Sequence, residues 1–312
     1  MQYIWLITGC SSGFGREIAL AAAQAGDTVV ATARDASKLA DLGTEAQGEG
    51  KIITRRLDVL AKDEEMKATI DEIVGTVGRL DVLVNNAGYV LEGAIEECRC
   101  VASHHPSLPF EIAKVNSYEE VEAQFATNVF GQLNVLRAAV PHMRSQQQPA
   151  GGVIANLGSI GGWRGTPAAG VYCATKAAIA VYSQSLRAEL APFGIDVTCV
   201  EPGYFRTRLL TGANKTAARN RIPELDDATR ATREAFARVS ERQPGDPAKG
   251  ARVLVDALTK RGRCRHMPPL PPRLALGSDA VDVIAAVLDE SKRDLEAWRD
   301  IVSQTDCDDV AG

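Results

Sequence analysis

Residues 3–26 read YIWLITGCSSGFGREIALAAAQAG, and a change of period inside them decides the fold. An apolar run (3–8) gives way to a glycine-rich turn, Thr8 to Gly15, and then to an Ala-rich stretch with helical spacing (16–26) that closes on a glycine. A strand that feeds a helix through such a turn brings its backbone close to something. Gly9 permits the turn, Gly13 allows a diphosphate to approach the backbone, and Gly15 lets the helix lie close to the sheet. The helix N-terminus supplies unpaired N–H groups and a partial positive charge for phosphates.

Working outward, β-rich runs recur at 28–33, 51–57, 81–86, 152–158 and 195–200, separated mostly by segments with helical spacing such as 171–194. This alternation predicts βαβ units and an α/β fold, a doubly wound parallel sheet of Rossmann type. The 312 residues invite a guess of two domains, but one such sheet absorbs that length, and a single domain over 1–276 is expected. Aromatics make up only 5%, so the core must rest on Val, Ile, Leu and Ala, which suit strands buried on both faces.

The net charge of −5, with no run of five Lys or Arg, argues against a nucleic-acid surface and for a small-molecule partner. Seven cysteines without a C-x-x-C pair give neither a disulfide framework nor a zinc site, which fits a reducing compartment. No 18-residue apolar stretch occurs, and the first residues lack the basic start of a leader; a cytoplasmic protein with no membrane contact is expected. The four histidines offer one adjacent pair, His104 and His105, and no third ligand, so no metal is expected.

The second strand ends in Ala33–Arg34, where a site preferring NAD usually carries a carboxylate for the adenosine ribose. Arg34 can instead pair with a 2′-phosphate, and Ser11 or Ser12 can add a hydroxyl. NADP(H) is therefore the expected cofactor, with Asp35 leaving some room for NAD(H).

Tyr172 and Lys176, spaced i, i+4 on a predicted helix, project from one face and can meet around a common ligand. Ser159 follows strand 152–158 at its C-terminal end, where open α/β sheets bind ligands. Together with TGCSSGFG, NNAG (85–88), Asn128 in TNVFG and PGYFRT (202–207), all in order, this pattern resembles the short-chain dehydrogenase/reductase family over roughly residues 3–260. The glycine motif is similar to that of the T-G-x-x-x-G-x-G branch; Ser12 stands where the sugar-epimerase branch has its second glycine.

The resemblance implies that Tyr172 is the acid/base at a carbonyl or alcohol oxygen. It further implies that Lys176 holds the nicotinamide ribose and lowers the tyrosine pKa, that Ser159 orients the substrate oxygen, and that Asn128 supports a water linking Lys176 to solvent. The cofactor contacts it implies are Gly9, Ser11, Ser12, Gly13, Phe14, Gly15, Arg34, Asp58 near adenine, Asn85, Ala87, Gly88, Tyr172, Lys176, Pro202, Gly203, Phe205 and Thr207 at the carboxamide. Bringing a tyrosine from about 10 to about 7 takes roughly 4 kcal/mol, which one ammonium at about 4 Å in an effective dielectric of about 20 can supply.

Residues 205–242 are expected to form a substrate lid, and Phe205, Leu209, Leu210, Tyr89, Val90 and Trp163 an apolar pocket. Segment 99–116 reads as an insertion before a helix start at Ser117 and Glu120, a capping box. It can be a substrate-gating loop, a partner-binding loop or a translated intron, the last preferred. Residues 277–312 read as an amphipathic helix (281–302) and an acidic tail. Helices 117–145 and 171–191 resemble the pair through which relatives form dimers or tetramers, so a homo-oligomer is expected. The leading functional reading is an NADP(H)-dependent carbonyl reductase or alcohol dehydrogenase acting on a small, largely apolar substrate. The alternative is a regulator that binds NADP(H) without turnover.

Overall fold

The structure is a computed structural model that describes residues 2–45, 48–98, 119–146, 151–210, 214–239 and 242–307; the predicted insertion at 99–116, with His104, His105 and the Ser117 cap, lies outside them. The first strand, β1 (Ile4–Ile7), runs into α1 (Gly13–Gln24), as the sequence predicts. Then follow β2 (Thr28–Ala33), the short α2 (Leu42–Glu45), β3 (Lys51–Arg56), α3 (Asp63–Val77), β4 (Val82–Asn85) and β5 (Val90–Glu92). Helix α4 (Glu119–Phe125) passes through a π-helical turn, Ala126–Phe130, into α5 (Gly131–Ser145). Beyond it come β6 (Gly152–Leu157), α6 (Gly170–Leu190), β7 (Ile195–Pro202), β8 (Lys215–Ala217), α7 (Asp226–Val239), α8 (Pro247–Thr259), β9 (Arg273–Leu276) and α9 (Ser278–Val302).

Seven strands form one sheet in the order β3-β2-β1-β4-β6-β7-β9, and all its pairings are parallel. The six predicted strands are present. The seventh, β9, went unread because four residues, RLAL, between a proline cluster and Gly277 carry too little pattern to count; its pairing with Cys199–Pro202 makes it a strand. A second ribbon, β5 with β8, ties the start of the predicted lid to the segment after NNAG.

Strands buried on both faces need helices on both faces. On one side α1 and α8 meet over Ile18, Ala19, Ala22, Leu254 and Leu258. On the other, α3 and α5 cover the sheet through Met66, Ile70, Val135 and Ala139. The sheet order reverses between β1 and β4, so the crevice for a ligand opens at their C-terminal ends.

Helix α1 ends as a Schellman motif. Gly26, at φ +87°, donates to Ala23 O, and Asp27 N donates to Ala22 O. That turn sets Asp27 inside the protein, where its carboxylate accepts from Tyr3 N and Trp5 Nε1 at 2.9 Å and faces Arg261 at 3.0 Å. One carboxylate thus joins β1 to the end of α8. Asp27→Ala removes the ion pair to Arg261 and leaves the Tyr3 and Trp5 donors without their acceptor, and is expected to cost about 3 kcal/mol. Urea denaturation monitored by circular dichroism measures it.

Candidate active site

At the switch point the glycine turn is clamped by a residue the sequence reading passed over. Asn86 Nδ2 donates to Thr8 O and Gly9 O at 3.0 Å, while Thr8 Oγ1 accepts from Asn86 N and Ala87 N. Gly9 and Gly13 sit in the left-handed region, at φ +72° and +62°. Gly15 is required for a nearer reason than helix–sheet spacing: a Cβ there would lie 2.3 Å from Asn86 Nδ2 and 2.7 Å from Gly9 O. Asn85, in contrast, points into the sheet. Its Nδ2 donates to Asn156 Oδ1, and Asn156 in turn donates to Ser183, so its side chain supports β4 and β6 rather than facing the cleft.

Along the turn runs a cleft of about 500 Å³ lined by Ser11, Ser12, Gly13, Arg16, Lys38 and Thr207, among others. A Cβ on Gly13 would sit 3.5 Å from Thr207 Cβ, so the missing side chain leaves room in this cleft. Glycine turn, helix N-terminus and cations together suit a diphosphate. Arg16 was not anticipated; its guanidinium is held by Asp41 at 3.0 Å and Glu45 at 2.7 Å. At the adenosine end Arg34 is exposed after β2. Asp35 caps the next turn instead, accepting from Ser37 N and Oγ, which holds its carboxyl below the usual range. Asp58 accepts from Leu60 N in a turn after β3.

Phe14 and Phe205, expected at the cofactor, stack on each other with centroids 5.1 Å apart and pack on the core beside Gly250. Their rings are spent on packing. Gly203 lies against Asp279 at the start of α9: a Cβ would meet Asp279 Oδ1 at 2.1 Å, and Tyr204 N donates to Asp279 Oδ2. Pro202 closes β7, and Thr207 follows in the cleft wall.

Ser159, Tyr172 and Lys176 come together. Ser159 accepts from Gly161 N at 3.0 Å, which starts the turn Ile160–Gly162, and its hydroxyl lies beside the Tyr172 ring: a Cβ on Gly161 would sit 3.5 Å from Ser159 Oγ and 3.6 Å from Tyr172 Cε1. Lys176 is buried; its Nζ donates to Leu157 O at 2.7 Å and lies 5.6 Å from the Tyr172 ring centroid. Burial pushes Tyr172 up to about 12, with the neighbouring Ser159 hydroxyl opposing it. Burial brings Lys176 down to about 8. Desolvation of the phenol is the dominant influence, and the ammonium is engaged by a backbone carbonyl.

Asn128, fully buried in the π turn, donates to Tyr89 O and Thr175 Oγ1 and accepts from Tyr89 N. It fixes Tyr89 to α6 one turn from Tyr172, and a Cβ on Gly88 would lie 3.0 Å from its Oδ1. π turns recur at functional sites because they displace the helix ladder.

Of the predicted apolar pocket, Val90 and Leu210 pack with Cys173 and Phe236 beside Tyr172, whereas Tyr89 joins a neighbouring cluster with Leu91 and Val171. Trp163 is held from below: Nε1 donates to the buried Glu201 at 2.6 Å, and Arg273 lies 3.6 Å over its ring while pairing with Glu201. The segment predicted as a lid is fastened by charge. Glu97, fully buried, bonds Arg233 and accepts from Ile222 N, and Glu92 pairs with Lys215. Glu120 accepts from Arg219 N.

Comparison with known proteins places this geometry. Residues 3–218 match a family model described as short chain dehydrogenase. An oxidoreductase named BOA17 from Botryotinia fuckeliana is 30% identical over 305 residues, covering 96% of this chain and 98% of the relative. A 3-ketodihydrosphingosine reductase from Bacteroides thetaiotaomicron is 35% identical over 211 residues, 68% of this chain and 67% of the relative. The crystal structure of a short-chain dehydrogenase from Streptomyces avermitilis superposes with a TM-score of 0.79 at 37% identity, covering 98% of both chains.

Gly15→Ala drives a methyl into Asn86 and the Gly9 carbonyl. It is expected to destabilise by about 1–3 kcal/mol, the usual penalty of overpacking, and to weaken nicotinamide-nucleotide binding. Thermal melts with and without cofactor check both effects.

Proposed function

The chain belongs to the short-chain dehydrogenase family and is an oxidoreductase of that type, and from this we propose that it is an NADP(H)-dependent enzyme interconverting a ketone or aldehyde and its alcohol on a small, largely apolar substrate. The observation that carries the reading is the meeting of Ser159, Tyr172 and Lys176 beside the apolar wall of Val90, Leu210 and Phe236. The reductase name of the Bacteroides thetaiotaomicron relative fits the ketone half of the proposal.

Family members bind a nicotinamide cofactor. When bound, the cofactor supplies hydride for reduction or takes it in oxidation. Gly9, Ser11, Ser12, Gly13 and Gly15 would hold its phosphates, Arg34 and Lys38 a 2′-phosphate, Asp58 and the backbone of Ala87 and Gly88 the adenine side, and Thr207 the carboxamide. In reduction Ser159 donates a hydrogen bond to the substrate oxygen, and Tyr172 Oη gives that oxygen its proton as the carbon is reduced. The phenolate left behind is stabilised by the Lys176 ammonium, and a proton from solvent restores the phenol. Oxidation runs the same proton the other way. Preference for NADP(H) over NAD(H) rests on Arg34 standing exposed at the end of β2 while Asp35 is engaged by Ser37. We take residues 205–242 as the substrate lid, and the protein as a cytoplasmic homo-oligomer, a dimer or tetramer.

A panel of ketones, aldehydes and secondary alcohols assayed with NADPH against NADH tests this. Turnover with at least one carbonyl and a preference for NADPH is expected; tight NADPH binding with no turnover on any substrate would leave a regulator. Tyr172→Phe is expected to remove turnover while leaving NADPH affinity within about threefold, since it deletes one hydroxyl away from the phosphates. The pH profile follows from the two shifts. Tyr172, pushed up, keeps its proton through neutral pH and is ready to donate; Lys176, brought down to about 8, loses its charge as pH rises through that value. Reduction should therefore be flat below about pH 8 and fall above it, whereas oxidation, which needs the phenolate, should climb with pH up to that point.

A further inference from the structure

Helix α9 leaves the body. Ala280 and Ile284 are buried at its root and Arg164 pairs with Glu290 at 2.9 Å, but every residue from Leu288 to Cys307 is exposed. The stretch 289–302 extends about 21 Å at 1.5 Å per residue. A helix that long, exposed beyond the Arg164–Glu290 pair among the described residues, lacks the packing from which helices in proteins draw most of their stability.

Its exposed surface is patterned. Val281, Leu288, Leu295 and Val302 recur every seven residues, and Trp298 lies three residues after Leu295 on the same seam, 62% exposed, as is Leu295. Written as heptads with Leu288 and Leu295 at a, Ser291 and Trp298 occupy d, Lys292 and Arg299 occupy e, and Asp294 and Ile301 occupy g.

We propose that α9 is a pairing helix, which packs in parallel and in register against α9 of a second copy of this chain through Leu288, Leu295, Trp298 and Val302. In that arrangement each g residue faces the e residue five positions on in the partner helix, which sets Asp294 of each copy against Arg299 of the other. The antiparallel alternative brings e against e, so Lys292 and Arg299 meet like charges. A lipid surface fits the helix poorly, because residues 278–302 carry seven Asp or Glu against three Lys or Arg, the reverse of interfacial helices. Two heptads are few for free peptides. Here the root of each helix is already anchored on its own body, so less ordering entropy opposes pairing.

Light scattering on the full-length protein across a concentration series tests this. The wild-type chain should reach twice the mass of Leu295→Asp/Trp298→Asp, with reductase assays unchanged because both residues stand exposed on α9 beyond its buried root at Ala280 and Ile284. Asp294→Lys should weaken association by about tenfold, through two lost cross-pairs, and adding Arg299→Asp should restore it. Val302→Cys in a Cys307→Ser background should form an interchain disulfide on mild oxidation, since apposed a positions fall within reach of about 4.4–6.8 Å between Cα atoms. Equal masses for wild type and the double aspartate variant would overturn the proposal. So would failure of the charge swap to restore association, absence of the cross-link, or capture of a wild-type monomer by anionic phosphatidylserine vesicles.

Discussion

The close approach of the β1 turn to the start of β4 is the constraint on which the rest of the molecule depends. Asn86 fits between two carbonyls of the turn only because Gly15 has no side chain, and Thr8 completes the clamp from the other strand. That contact holds open the crevice at the point where the strand order reverses. The cleft lined by Ser11, Ser12 and Gly13 lies on one side of it, and Gly88 lies against Asn128 on the other. A sheet with the same strands but a bulkier residue at position 15 would keep its core and lose the shape of its crevice.

Much of this was legible in the sequence because period and glycine placement are local signals. Six of the seven strands of the main sheet, α1, α6 and the C-terminal helix followed from alternation and caps, and the Ser159, Tyr172 and Lys176 set from spacing that the fold converts to proximity. What escaped depends on distant partners. Strand β9 exists because Cys199–Pro202 offers it an edge, and β8 because β5 does. Asn86 and Asn85 are neighbours of one type, and only the pleat decides that the first clamps the turn while the second bonds Asn156. Phe14 and Phe205 sit inside motifs that point to the cofactor, yet their rings find each other 5.1 Å apart. Arg16 carried no motif, and its place in the cleft wall came only with the turn of α1.

Charge is distributed in two manners. Near Tyr172 it is scarce: burial disfavours the ionised form of both the phenol and the Lys176 ammonium. Around residues 215–233 charge is plentiful, with Glu92, Glu97 and Glu120 receiving Lys215, Arg233 and the backbone of Ile222 and Arg219. Residues 205–242 hold nine Lys or Arg against five Asp or Glu, and that basic excess is partly consumed by Glu92, Glu97 and Glu120. It fastens this segment to the residues around β5.

The Trp163, Glu201 and Arg273 cluster has an optical consequence. The chain holds three tryptophans: Trp5 is buried in the sheet, Trp298 is solvated on α9, and Trp163 lies under a guanidinium with its indole N–H bound to a carboxylate. The three environments differ in polarity and in neighbouring charge, so their emission should differ in wavelength and lifetime. The loop after Ser159 thereby carries its own built-in fluorophore, one whose signal tracks the separation of Arg273 from the ring without any label being attached.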